Sequence, residues 1–203
     1  MRNYDEEYFF IEEAENEQLP ALLPDANTED RTFRFEAQPV GSPPLVFRNG
    51  AHDAQRRRRL SPLRPVPDVL FSGANLVVRT KIRDALLGIN IPHLSMHPTV
   101  YIDEDDKWHE DFWYMTFTQT FDCWDRKSSD YKATPLVVGG AKLYSVYSYS
   151  LDADVLDKVP LEQRLLFKMG GTQDGYIVCH TTMTKHFTSA LNTSLVLTKI
   201  SEY

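Results

Sequence analysis

The run FWYMTFTQTFDCWDRKSSDYK, residues 112–132, changes character at its midpoint. Phe112 to Phe121 is dominated by aromatic and β-branched side chains, which suit a pleated, half-buried surface. It is the strongest strand signal in the chain. Asp122 to Lys132 is polar and crowded with turn-forming residues. Cys123 and Asp125 invite a catalytic reading, but Phe121 and Cys123 share one face of the ending strand. Asp122 and Asp125 are spaced to accept backbone amides in the turn that follows, and Tyr131 returns inward. The expectation is a fold-defining corner with a structural thiol at Cys123.

Short apolar strands surround this one. Tyr8 to Ile11 reads as an early strand, Glu12 to Asp30 as loop, and Arg31 to Phe35 alternates with strand period. Val69 to Phe71 precedes Gly73, and Leu76-Val77-Val78 is an apolar triplet. Thr80 is placed to cap a helix that carries Ile82, Ala85 and Leu86 on one face, with Gly88 as its left-handed end. His93 to Met96 and Thr99 to Ile102 follow as strands, closed by the acidic turn Asp103-Glu104-Asp105-Asp106. Leu136 to Val138 and Leu143 to Tyr149 are further strands. Leu166-Phe167, Gly170-Gly171, the triplet Tyr176-Ile177-Val178, a helix capped by Thr181 or Thr182 and the strand Leu195 to Ile200 then repeat the earlier order. That helix would place Met183, Phe187, Ala190 and Leu191 on one face. The fold expected is α+β, with a mixed, mainly antiparallel sheet, a few short helices and two similar strand–helix–strand units. One domain over residues 1–203 is expected from the length.

The chain has 203 residues and a net charge of -7. Residues 1–36 hold eleven acids and three bases, so 3 − 11 = -8, and the remainder sums to +1. This acidic balance argues against a nucleic-acid partner, whose phosphates need Lys and Arg. It suits a basic protein surface. Residues 39–67 are rich in Pro and Arg and read as a loop. The run Arg56-Arg57-Arg58-Arg59 leaves a nucleic-acid module open as an alternative, but the flanking Pro62, Pro65 and Pro67 argue against a helix that would present the arginines on one face. Two cysteines are too few for a disulfide framework. No apolar run suggests a signal peptide or a membrane span, so a cytoplasmic protein is expected.

Catalytic templates fail one by one. No His follows Cys123 within ten residues to generate thiolate; a Cys/His enzyme using Cys123, or Cys179 with His180, stays as the other alternative. His93 and His97 have zinc spacing, but Pro92 and Pro98 flank them. His180 and His186 match no zinc pattern. Gly170 to Gly175 lacks the Lys-Ser/Thr ending of a phosphate loop and reads as a turn. The cluster Asp103 to Asp106 fails the calcium-loop spacing. No catalytic residue, cofactor or metal ligand is assigned.

Three segments together carry a resemblance: LFSGANLVVRTKIRDALLGINI (70–91), FTQTFDCWDRKSSDY (117–131) and LLFKMGGTQDGYIVCHTTMTKHFTSAL (165–191). Their order resembles the bacterial immunity proteins of polymorphic toxin systems, specifically immunity-protein family eleven, formerly a domain of unknown function. The central stretch of that pattern falls here on Asp122, Cys123, Trp124, Asp125, Lys127, Ser128, Ser129 and Tyr131. The resemblance spans about Phe33 to Tyr203; the Pro/Arg-rich loop and the acidic start depart from it. It implies a protein that binds a cognate toxin stoichiometrically and catalyses nothing. The docking residues expected are Asp103, Glu104, Asp105, Asp106 and Glu110, with Trp108 as aromatic anchor.

Overall fold

Val69-Leu70-Phe71, Leu76-Val77-Val78 and Ile177-Val178-Cys179 carry no polar interruption because their strands are covered on both faces. The computed structural model describes residues 3–32, 36–188 and 194–203. In chain order the elements are β1 (Tyr8–Glu13), β2 (Leu22–Pro24), α1 (Ala26–Thr32), β3 (Leu45–Asn49), α2 (His52–Arg58), β4 (Val69–Ser72), β5 (Asn75–Arg79) and α3 (Thr80–Leu87). There follow β6 (Leu94–Ile102), β7 (Trp108–Phe117), β8 (Asp130–Tyr131), β9 (Leu136–Val138), β10 (Ala141–Leu143) and β11 (Val146–Ser148). Then come α4 (Ala153–Leu156), a 3-10 turn (Leu161–Gln163), β12 (Leu166–Lys168), β13 (Ile177–His180), a 3-10 helix (Thr181–His186), β14 (Leu195–Lys199) and a last 3-10 turn (Ile200–Glu202).

Two sheets hold most of the strands. The larger has the order β2-β3-β6-β7-β5-β4, and the smaller β12-β13-β1-β14. Among the described residues, the β3–β6 pairing is the one parallel pairing within these sheets. The fold is α+β with mixed, mainly antiparallel sheets. The two strand–helix–strand units share one topology. In each, an antiparallel hairpin (β4–β5, β12–β13) leads through a helix (α3, the 3-10 helix 181–186) to a returning strand (β6, β14). A further strand, β7 or β1, sits antiparallel between the hairpin and the returning strand. The returning strand is therefore parallel to the hairpin's second strand, which is why each unit needs a helical crossover.

The inner faces of both sheets meet in one core. Val69, Phe71, Leu76, Val78 and Met115 from the larger sheet pack with Ile11, Leu166, Ile177 and Cys179 from the smaller. Ile82 and Leu86 of α3, Met183 and Phe187 complete it. Alternate residues point outward and are covered separately. Leu70, Val77, Phe112 and Tyr114 lie with Leu45, Phe47 and Val66. Tyr8, Phe10, Phe167 and Val178 lie with Cys123, Trp124, Tyr149 and Leu151.

The corner after β7 forms largely as expected. Cys123 and Trp124 are buried. Asp125 accepts from Lys127 N (2.9 Å) and Ser128 Oγ (2.7 Å). Asp122 instead grips Arg126 through both carboxylate oxygens, each at 2.6 Å, and the Arg126 guanidinium lies 4.0 Å over the Trp124 ring. Tyr131 meets the Trp124 ring edge-on at 5.0 Å.

Several elements differ from the sequence reading. Residues 39–67 are not a bare loop, since they contain β3 and α2. Proline disfavours helix at itself and the residue before it, and Pro62 lies beyond the end of α2, so the Arg run forms its last turn. Arg59 ends that helix in the left-handed conformation, φ 58°. Arg31 and Thr32 belong to α1, not a strand, because Asp25 Oδ1 caps the helix at Thr28 N (2.8 Å). Residues 33–35 of that expected strand lie outside the described residues. The expected loop 12–30 includes the end of β1, β2 and the start of α1.

Thr80 is not a cap. Its hydroxyl donates to Asp111 O (3.1 Å) and accepts from Trp113 Nε1 (3.0 Å). Gly88 ends α3 at φ −77°, a right-handed conformation. His180 caps the second helix, its ring accepting from Thr182 N; Ala190 and Leu191 fall outside the described residues. The two strands expected at 93–102 are one. β6 runs through Pro98 because β3 pairs with it only from Thr99 onward, leaving Pro98 on a one-sided stretch. The expected strand 143–149 is broken into the end of β10 and β11. The strand β7 starts at Trp108 and ends at Phe117. Among the described residues, no helix is long and apolar enough to cross a membrane.

Cys123→Ser places a hydroxyl where the thiol lies 3.9 Å from Met169 Sδ in an apolar core. Urea unfolding should show a loss of roughly 1–3 kcal/mol at unchanged m-value. Undiminished stability would contradict the structural role of this thiol.

Candidate functional site

The six residues expected to dock a partner surround the tight connection between β6 and β7. Asp103 N donates to Lys107 O at 3.0 Å, closing the turn, and Asp106 takes φ 56° at its tip. Aspartate is one of the few side chains that tolerates this left-handed conformation. Asp103 organises the turn from within. Its Oδ1 accepts from Asp105 N and Lys107 N, both at 3.0 Å. Its Oδ2 meets His109 Nε2 at 2.9 Å and Arg64 Nη1 at 3.0 Å. Burial pushes the Asp103 carboxyl up, but the bonds from His109, the two amides and Arg64 outweigh it and hold the group at about 2.

The structure divides the candidate residues into two sets. Asp103 is 2% exposed at its side chain, and Glu104 is nearly as enclosed beneath Arg64. These two are internal parts of the turn. Asp105, Asp106, Trp108 and Glu110 face solvent, with Asp105 and Asp106 side chains at 77% and 84% exposure and Trp108 at 58%. Asp105 also meets Arg64 (2.8 Å), and Asp106 meets Arg48 (3.0 Å). Such exposed pairs contribute little and open readily to a competing partner.

Trp108 and Glu110 lie on strand β7, not on the hairpin tip. The pairing jumps from Thr99–Phe112 to Tyr101–His109, so Glu110 and Asp111 stand opposite Val100 alone. This is a β-bulge, which bends a strand and re-aims its side chains. Trp108 to Asp111 of the bulged strand line an open cleft of about 900 Å³ together with Arg64, Pro65, Val66 and Arg79. Arg79 is fixed by Asp111 (2.6 Å), Asp68 (3.3 Å) and the Phe112 ring (4.5 Å). Sequence reasoning missed Arg64 and Arg79. Arg64 sits among prolines with no periodic neighbours, and Arg79 ends an apolar strand.

The rival sites are arranged differently. Cys123 and Cys179 are fully buried; burial pushes the Cys123 thiol far up and the Cys179 thiol to about 12. Strand alternation sends Cys179 into the shared core and His180 to the opposite face, where it stacks edge-on against Tyr8 at 5.2 Å. They do not meet as a dyad. His97 is buried against Pro43 O (2.9 Å) and Arg31 Nη2 (3.1 Å). Among the described residues, no group of three or more His, Cys, Asp or Glu is placed to hold a metal ion. On α2, Arg56 pairs with Asp53 (3.4 Å) and Arg58 with Glu17. In comparisons with known proteins, no family model matches the chain and no curated protein matches it.

The lowered carboxyl of Asp103 ties the turn to pH. A carboxyl held below its unfolded value stabilises the fold above that value and loses this contribution as pH falls toward the folded one. Native stability should therefore drop by roughly 2 kcal/mol between about pH 4 and about pH 2 through this group. Asp103→Asn should lose a similar amount at neutral pH and show a flatter acid limb in denaturant titrations. An unaltered acid limb in Asp103→Asn would contradict the assignment.

Proposed function

We propose that the chain is a cytoplasmic immunity protein that binds a cognate bacterial toxin and neutralises it by stoichiometric occlusion. The observation that carries this reading is the start of β7, where the exposed indole of Trp108 lines an open cleft with Asp105 and with Glu110 of the bulge. A large amphipathic anchor with a charged rim is the composition of an interface hot spot. Its acidic rim complements a basic surface, the kind that toxins acting on nucleic acids or nucleotides use to hold phosphates.

The division of the acids supports the same reading. Asp103 and Glu104 hold the turn rigid through Arg64, so the exposed set is presented by a preformed scaffold. Preformed geometry lowers the ordering cost of association. The burial of both cysteines, with their thiols pushed up, weighs against a thiol enzyme.

The test titrates the products of the neighbouring genes into this protein and measures binding by calorimetry. Trp108→Ala should weaken binding by about 2 kcal/mol or more, roughly thirtyfold. Reversal of Asp105, Asp106 and Glu110 to Lys should slow association and remove most of its salt dependence. If both variants bind as the parent does, the toxin docks elsewhere; if no neighbouring gene product binds at all, the immunity reading fails.

A further inference from the structure

Two of the three tryptophans carry an arginine over the ring. Arg126 lies 4.0 Å over Trp124 while its two terminal nitrogens donate to Asp122, each at 2.6 Å. Arg83 lies 4.1 Å over Trp113 and donates to Asp84 at 2.8 Å. Arg79 repeats the arrangement on Phe112 (4.5 Å), with Asp111 as its carboxylate (2.6 Å). In each case the ring face attracts the cation and the acid fixes the direction of its N–H groups. Trp108 has the ring and the acid without the cation. Its indole is exposed, and among the described residues no cation or second ring lies against it. Glu110 stands two residues away, as Asp122 stands from Trp124, and lines the same cleft as Trp108. Among the described residues Glu110 makes no ion pair and no side-chain hydrogen bond. Two other cations of the cleft are engaged elsewhere, Arg64 with Asp103, Glu104 and Asp105, and Arg79 with Asp68 and Asp111. Lys107 lines the cleft as well, and among the described residues no ion pair joins it to Glu110.

We propose that this part of the cleft binds an arginine side chain of a partner protein, its guanidinium stacked on Trp108 and donating to Glu110. Arginine fits better than lysine because its flat, weakly hydrated cation can stack on an indole while its edge donates to a carboxylate. The chain's own examples on Phe112, Trp113 and Trp124 are all arginines. A single exposed contact of this kind is weak, so it fixes the register of a larger interface and leaves most of the affinity to the surrounding surface. The inference rests on the reading of the Trp108 face as a docking surface, and it names the group that the partner brings there.

The probe is the peptide acetyl-Gly-Arg-Gly-amide, with citrulline as the uncharged isostere and lysine as the second counterpart in place of arginine. Each is titrated into the nitrogen-15-labelled full chain. The readout is the indole N–H resonance of Trp108, assigned by its loss in Trp108→Phe. The arginine peptide should shift this resonance saturably, with roughly millimolar affinity, and leave those of Trp113 and Trp124 in place. The lysine peptide should bind roughly threefold or more weaker, and the citrulline peptide should give no saturable shift. Added salt should weaken the arginine peptide. Glu110→Gln should weaken it roughly threefold or more at an unchanged melting temperature, since the side chain is exposed. The proposal is overturned if the arginine peptide gives no saturable shift, if arginine and citrulline act alike, or if Glu110→Gln binds as the parent does. Peptide binding alongside neighbouring gene products that all fail to bind upholds this site and sinks the toxin reading. A neighbouring product that binds while the peptide does not sinks this site and leaves the toxin reading standing.

Discussion

The structure depends on one constraint: both sheets must bury two faces, and only the inner pair can bury each other. The shared core from Ile11 to Phe187 meets that need on one side. The outer faces require covers built from irregular chain, and this explains why so much sequence lies outside the two sheets. Residues 121–156 cover the smaller sheet with Cys123, Trp124, Tyr149 and Leu151. Residues 45–66 cover and extend the larger sheet with Leu45, Phe47 and Val66. The polar corner at Asp122 to Tyr131 follows from this. Chain leaving the edge of β7 must turn sharply to lay Trp124 over the outer face, and Asp125 and Ser129 satisfy the backbone groups that the turn frees.

Charge is used in two ways. Arg64 reaches three acids of the β6–β7 turn from a proline-bounded segment far along the chain. Asp103 and Glu104 are thereby part of the scaffold, and Asp105 and Asp106 remain near water. A cluster that looks uniform as a string of letters is thus split by burial into a structural half and a solvent-facing half. Burial likewise separates Lys168 from the surface lysines.

Much of the fold was legible because both-face burial leaves an unmistakable trace. The triplets Leu76-Val77-Val78 and Tyr176-Ile177-Val178 read as strands, and the order apolar triplet, helix, strand read as a repeat. The parts that misled were decided by short-range competition. Arg31-Thr32 alternates like a strand, but Asp25 caps a helix through it. Arg56 to Arg59 looked barred from helix by prolines that in fact lie past its end. Thr80 has the residue type of a cap, yet its hydroxyl is taken by Asp111 and Trp113 across the sheet.

The sequence by itself determined the fold class, the repeated unit, the structural nature of Cys123 and the acidic segment at Asp103 to Glu110. Period, turn chemistry and charge are local properties, and they survive in a one-dimensional reading. Only the tertiary structure decided that β7 and β1 play matching parts in the two sheets, that Glu110 sits on a bulge, and that Lys168 bonds Asn75, which in turn bonds Tyr114. Those facts join residues dozens of positions apart, and no local pattern specifies which distant side chain will share a buried space.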